Sequence, residues 1–232
     1  YLHNWHIDLI ADYLMAVARG DITRLIINMP PRSLKSICVS VAWPAWLLGH
    51  NPTMRIMAAS YSQQLATKHS LDCRLVMQSA WYRRLFPHTI LAHDQNEKHK
   101  FATTQCGMRL ATSVGGTATG EGGHILIADD VSSPLQANSA TDRAAINEWF
   151  DHTFATRLDD KRTGAMVLVM QRLHEQDITA HLLAKGGWEH LCLPAVADSA
   201  QRWDVGGRRY VRKRGSLLHS AREDRALIER AK

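Results

Sequence analysis

The segment Asn28-Met29-Pro30-Pro31-Arg32-Ser33-Leu34-Lys35-Ser36 joins a short apolar run to a helical one, the setting that a phosphate-binding loop requires. In such a loop, here Pro31, Arg32, Ser33, Leu34, Lys35 and Ser36, backbone N–H groups and a helix N-terminus face an anion. Lys35 would neutralise the β and γ phosphates of ATP, and the Ser36 hydroxyl would ligate Mg2+. The standard pattern has glycine where this chain has Met29 and Leu34. Leu34 must therefore reach a glycine-like geometry with a side chain attached, or the loop takes a different shape. The plainer alternative is an ordinary strand-to-helix turn with an exposed lysine.

A second constellation lies at His124-Ile125-Leu126-Ile127-Ala128-Asp129-Asp130, an apolar strand that delivers two carboxylates at its C-terminal end, where ligands bind in open α/β sheets. Asp129 would hold Mg2+, and Asp130 would orient or deprotonate an attacking water. Alone, Asp-Asp is also a common polar strand terminator. Loop and acid pair strengthen one another when both sit in an alternating α/β chain.

Alternation of that kind is what the pattern gives. Leu2 to Arg19 has helical spacing through Trp5, Leu9, Ile10, Tyr13, Leu14 and Val17, stopped by Gly20,. Thr23 to Met29 reads as a buried strand broken by Pro30-Pro31, and a helical run starts at Leu34,. Arg55 to Ala59 predicts a strand and Ser62 to Met77 a helix,. Short segments including Lys100 to Thr103 and Met108 to Ala111 flank a Gln105-Cys106-Gly107 turn as a hairpin,. Ile125 to Ala128 is a strand, Ala140 to Arg157 one long helix, Ala165 to Met170 a strand, and Ile178 to Lys185 a helix ended by Gly186-Gly187,. The fold class expected is α/β, a mostly parallel sheet flanked by helices. The pattern dissolves from about Asp198, so the domain boundary is placed at 197: a domain over 1–197, then over 198–232 a basic linker or the start of a segment leading to a further domain.

With 232 residues, 45% of them hydrophobic, the chain can bury a sizeable core,. A formal charge of +6 favours an anionic partner without naming it. The four cysteines are scattered without paired spacing, which argues against a disulfide framework and for a reducing compartment. No apolar run approaches the roughly 20 residues of a membrane span, so no membrane association is expected. Tyr1 in place of Met, and a basic helical stretch ending at Lys232, read as a piece of a longer protein. The thirteen histidines lack the paired spacings of zinc sites,. Val114 to Gly123 is Gly-rich and reads either as a mobile loop facing DNA or nucleotide or as a plain connection. The run Arg202, Arg208, Arg209, Arg212, Lys213 and Arg214 fits DNA phosphates or a solvated linker.

Taken in order, Trp5-His6, Pro30 to Ser36, Val114 to Gly123, Ile125 to Asp130, Gln171-Arg172-Leu173-His174-Glu175-Gln176-Asp177 and Leu193-Pro194-Ala195 resemble the motifs of the large terminase subunit of tailed bacteriophages and prophages. The resemblance covers about residues 1–196. It implies a P-loop ATPase of the additional-strand, catalytic-acid (RecA-like) type, a Mg-dependent motor that translocates viral double-stranded DNA into a procapsid in the cytoplasm of the bacterial host. It also implies a procapsid portal protein and a small terminase subunit as partners, and a homo-oligomeric ring during packaging formed from a domain that is monomeric alone. In the family a nuclease domain follows; its metal-binding acids have no counterpart here, so nuclease activity is expected to be absent. The resemblance gives Asp130 the catalytic acid's place, although many members carry Glu there. It makes Arg32 an arginine that reaches the γ-phosphate, sets Gln171 where Thr is frequent in the segment that couples phosphate state to movement, and puts His6 where related motors read adenine with Gln. Arg143, Arg157 and Arg162 are unranked candidates for an arginine supplied across a ring interface. The rival readings are a helicase-like or recombinase-like ATPase, which would share the loop and acids but not the Gln171 to Asp177 segment, and a nucleotide-binding assembly module without hydrolysis.

Overall fold

The computed structural model describes residues 2–116 and 120–230. Its first helix, α1 (Trp5–Arg19), buries Leu9, Ile10, Tyr13, Leu14 and Val17, a stripe at helical spacing. Gly20 ends it in the left-handed region, φ 83°, with its N–H returned to Ala16 and Val17 carbonyls, the closure that glycine favours. Three apolar residues in a row, Leu25 to Ile27, make β1 (Arg24–Asn28) a strand covered on both faces,. Pro30 and Pro31 then remove two donors and stop the ladder,.

The remaining elements alternate as the pattern indicates. They are α2 (Trp43–His50), β2 (Arg55–Ser60), α3 (Gln63–Gln78), α4 (Ala80–Leu85), β3 (Leu91–Asn96), β4 (Lys100–Thr103), β5 (Met108–Ser113), β6 (Ile125–Asp129), α5 (Pro134–Asn138), α6 (Ala140–Trp149), β7 (Ala165–Met170), α7 (Ile178–Lys185), β8 (Glu189–Cys192), β9 (Gln201–Val205), β10 (Arg208–Arg212) and α8 (Arg225–Arg230). Eight strands form one sheet in the order β3-β4-β5-β2-β6-β7-β1-β8. From β5 to β8 the pairings are all parallel, and only β4 runs antiparallel to its neighbours. The protein is thus α/β with a mostly parallel sheet flanked by helices.

Strand side chains alternate between faces, and two apolar layers result. Leu25, Ile27, Ile56, Ile125, Ile127, Val167 and Val169 pack beneath α1, α2 and α3. Ile26, Met57, Leu126, Leu168 and Met170 pack against Ile146, Phe150, Phe154 and Leu182 on the other side.

Several elements differ from the sequence reading. The first helix begins at Trp5, after an extended Asn4. The helical run after the phosphate loop is π-helical over Ile37–Ala42 before it becomes α2. The long helix is α6 followed by a π-helical Phe150–Phe154 and a 3-10 turn Ala155–Arg157. A wider turn there stacks Trp149 on Phe154 at 5.0 Å. The basic stretch beyond Ala197 is folded: β9 and β10 form an antiparallel hairpin laid on α1. Trp203 stacks on Trp5 at 6.0 Å, and buried Asp12 accepts from the Tyr210 hydroxyl at 2.6 Å and pairs with Arg208. Of the Gly-rich stretch, Thr117, Ala118 and Thr119 lie outside the described residues. Gly123 is packed, bridging to Leu158 at the start of β6.

Candidate nucleotide and metal site

Parallel strands bring their carboxyl ends to one edge of the sheet, and that edge receives both constellations. β1 leads into Pro30–Ser36, β6 ends at Asp129, and β7 leads into Gln171. Within the loop, Arg32 and Leu34 have φ of 58° and 67°, while Ser33 between them does not enter the left-handed region. Alternating hand turns successive N–H groups to one side, the concavity that accepts an anion. Each such non-glycine residue costs about 1–2 kcal/mol, so the surroundings must hold the loop. Ser33 Oγ donates to the Pro30 carbonyl at 2.5 Å. Arg222 Nη1 donates to the Arg32 carbonyl at 2.7 Å, and His6 Nε2 lies 3.2 Å from the Ser33 carbonyl.

Lys35 and Ser36 start the helix, as Cys38 N–H already bonds to the Leu34 carbonyl at 2.9 Å. Lys35 Nζ reaches Asp130 Oδ2 at 2.8 Å, and Ser36 Oγ donates to Asp129 Oδ1 at 2.9 Å. The structure therefore brings together the four residues that the sequence singled out for phosphate and metal. Asp130 is itself in the left-handed region, φ 45°, and its Oδ1 accepts from the Gln171 backbone N–H at 3.3 Å. The segment after Gln171 is pinned in turn. Asp177 caps α7 through the Ala180 N–H and takes Arg172 Nε at 2.9 Å.

Asp129 is fully buried, and burial, with Asp130 beside it, pushes its carboxyl up to about 7 against the pull of the Ser40 and Ser36 hydroxyls and Lys35. Burial is the main cause of that rise, and a nearby cation would oppose it. Ser36 Oγ and Asp129 offer hard oxygens to an ion that keeps most of its waters, which suits Mg2+. Among the described residues no group of three or more His, Cys, Asp or Glu gathers as a metal site.

Other sequence candidates fall around this centre. Arg32 is exposed on the loop, beside the exposed Pro31. His6 is buried with both ring nitrogens facing protein, Asn4 on one side and Ser33 on the other. Its pKa is lowered by burial, which outweighs the bond to Ser33, so the neutral ring braces the loop backbone. Arg143 donates to the Ala137 carbonyl at 2.7 Å and to Gln176 at 3.4 Å, on the site's side of the sheet. Arg162 lines a cleft with Gly20, Thr23 and His124 at the opposite end.

Three residues of the site escaped the sequence reading: Ser40, His69 and Arg109. Ser40 Oγ donates to Asp129 Oδ2 at 2.6 Å, and His69 Nδ1 lies 3.4 Å from the same oxygen. Burial first, then the Arg109 and Lys68 charges, lowers His69 to about 4, so it stands neutral beside Asp129. The one available signal was spacing, since Ser36 and Ser40 are four apart and share a helix face.

Neither a known protein-family model nor a curated protein matches this sequence.

Proposed function

We propose that this chain is the Mg-dependent ATPase domain of a DNA-packaging motor of the large terminase type. One observation carries the reading. Lys35-Ser36, after β1, and Asp129-Asp130, at the end of β6, come from strands separated by β7 and meet as two hydrogen-bonded pairs at the carboxyl edge of the sheet. A strand inserted between the loop strand and the acid strand is the arrangement that the additional-strand, catalytic-acid class implies. The Gln171–Asp177 segment, whose first N–H donates to Asp130, supports a packaging motor over a helicase-like ATPase because its sequence resembles terminases more than helicases.

In this reading Lys35 exchanges Asp130 for the β and γ phosphates, and the left-handed pair Arg32 and Leu34 holds the loop N–H groups toward them. Ser36 and Asp129 would hold Mg2+, which supplies charge neutralisation on the phosphates. Asp130, released from Lys35 and oriented by the Gln171 N–H, accepts a proton from the attacking water or aligns it. Arg32 stabilises charge on the γ-phosphate from within its own subunit. Double-stranded DNA, a procapsid portal protein, a small terminase subunit and a homo-oligomeric ring complete the proposal.

ATP hydrolysis should require Mg2+ and be lost in Lys35→Ala together with nucleotide binding. Specific activity should rise with protein concentration or with added portal and DNA, because an arginine from a neighbouring subunit is worth about three to five orders of magnitude in related enzymes. Wild-type nucleotide affinity in Lys35→Ala would overturn the site assignment. High activity that does not depend on concentration would favour a self-sufficient ATPase.

A further inference from the structure

Asp129 is held from behind as well as from the front. Ser36 and Ser40 lie one helical turn apart and take one carboxylate oxygen each, at 2.9 and 2.6 Å. Ser36 borders the loop and is half-buried, whereas Ser40 is 1% exposed and lies within the π-helical segment. Single π turns recur at functional sites because they re-aim side chains.

Ser40 is anchored in turn. Arg109, on β5, is fully buried, and its Nη2 donates to the Ser40 carbonyl at 3.0 Å. Its Nε and Nη1 have no partner among the described residues. A buried guanidinium with donors to spare is costly: burial lowers the Arg109 pKa, and the nearby Cys73 and Asp129 only partly oppose it. Behind the carboxylate there is thus a fixed positive group, one serine tied to it, and the His69 ring at the same oxygen.

We propose that Ser40, anchored by Arg109 and seconded by His69, is a positioning residue for the metal carboxylate: it locks Asp129 Oδ2 so that Oδ1 is presented, with Ser36, to Mg2+. The inference rests on the nucleotide reading above. Groups that orient a metal ligand without touching the metal contribute about tenfold to a hundredfold in metal affinity.

The test is a Mg2+ titration of the whole chain with a fluorescent ATP analogue, alongside Mg-free binding of the same analogue. Ser40→Ala should raise half-saturating Mg2+ by about tenfold or more and leave Mg-free binding unchanged, and Ser40→Thr, which keeps the hydroxyl, should stay near wild type. A purely structural serine would lower the melting temperature without moving the Mg2+ titration. If Ser40→Ala does not fold, His69→Leu reports on the same oxygen and should shift Mg2+ in the same direction. A folded Ser40→Ala, or in its absence a folded His69→Leu, that matches wild type in Mg2+ overturns the positioning role alone. A wild-type chain that binds no analogue, with or without Mg2+, overturns the nucleotide reading and this role with it.

Discussion

Replacing Lys35 by alanine probes the centre of the site before any nucleotide is added. Only 7% of the lysine side chain and 22% of the Asp130 side chain is exposed, at an N–O distance of 2.8 Å. Without the ammonium, two adjacent carboxyls share a region where Asp129 is already pushed up to about 7, chiefly by burial. Removing one partner of a buried pair costs about 3–5 kcal/mol. Asp130 keeps some water and Asp129 can take a proton, which trims the loss to about 2–3 kcal/mol. For a domain of this size that is about 5–10 °C in melting temperature. Asp130→Asn in the same background removes the stranded charge and should restore at least half of it. Thermal and urea unfolding of the nucleotide-free single and double variants measure this directly. A Lys35→Ala protein that melts within about 1 °C of wild type, or a double variant no more stable than the single, would show that the two groups are not coupled. The same geometry makes Asp130 a competitor of ATP for the lysine. Asp130→Asn alone should therefore bind ATP at least as tightly as wild type while turnover falls by on the order of a hundredfold or more.

Leu34→Gly relieves about 1–2 kcal/mol of left-handed strain and adds about 0.5–1 kcal/mol of unfolded-state entropy, so stability should change little and ATP affinity should hold; a tenfold loss of affinity would mean that the leucine side chain shapes the site. Asp12→Ala removes the acceptor shared by Tyr210 and Arg208, so trypsin should cut the β9–β10 hairpin faster while Mg-free ATP binding persists; unchanged cleavage would mean that Trp5 and Trp203 hold the hairpin unaided. Burial raises the Asp151 carboxyl, but the Lys185 and His181 bonds outweigh it and hold the carboxyl below 3.8. A depressed folded value gives stability that is present above pH 3.8 and lost as pH falls through the folded value. The deficit of Asp151→Asn against wild type, under about 1 kcal/mol for so exposed a pair, should accordingly vanish below that value; a deficit that persists at lower pH would assign it to packing.

Where side-chain periodicity decides structure, the sequence was legible. Ala165–Met170 and Ile178–Lys185 have the expected bounds, one because six apolar residues suit only a strand covered on both faces, the other because Asp177 caps it and Gly186 stops it. Lys35, Ser36, Asp129 and Asp130 were legible as chemistry because each pair is adjacent in the chain. Ser40, His69 and Arg109 were not, since three elements far apart in sequence meet only after β2, β5 and β6 pair. The strand β8, Glu-His-Leu-Cys, is too short and too polar to announce itself. In β10 the arginines hide the alternation, as guanidiniums read as solvated until Asp12, Ala195 and Ser216 accept their bonds. The π-helical turns depend on a fifth-residue bond that no side-chain period encodes.

The position of β1 also sets a timetable for biosynthesis. Its neighbours are β7 and β8, whose residues begin at Ala165 and Glu189, so the strand that carries the phosphate loop emerges from a ribosome long before either partner exists. The last brace on the loop, Arg222 on the Arg32 carbonyl, lies 190 residues downstream. At about 5–20 residues per second, the nascent loop waits roughly 10–40 s for that contact. Until β7 is made, about 140 residues after β1 and so roughly 7–28 s at the same rate, the apolar Leu25-Ile26-Ile27 has no native strand beside it, and a chaperone that shields short apolar segments would find a client here.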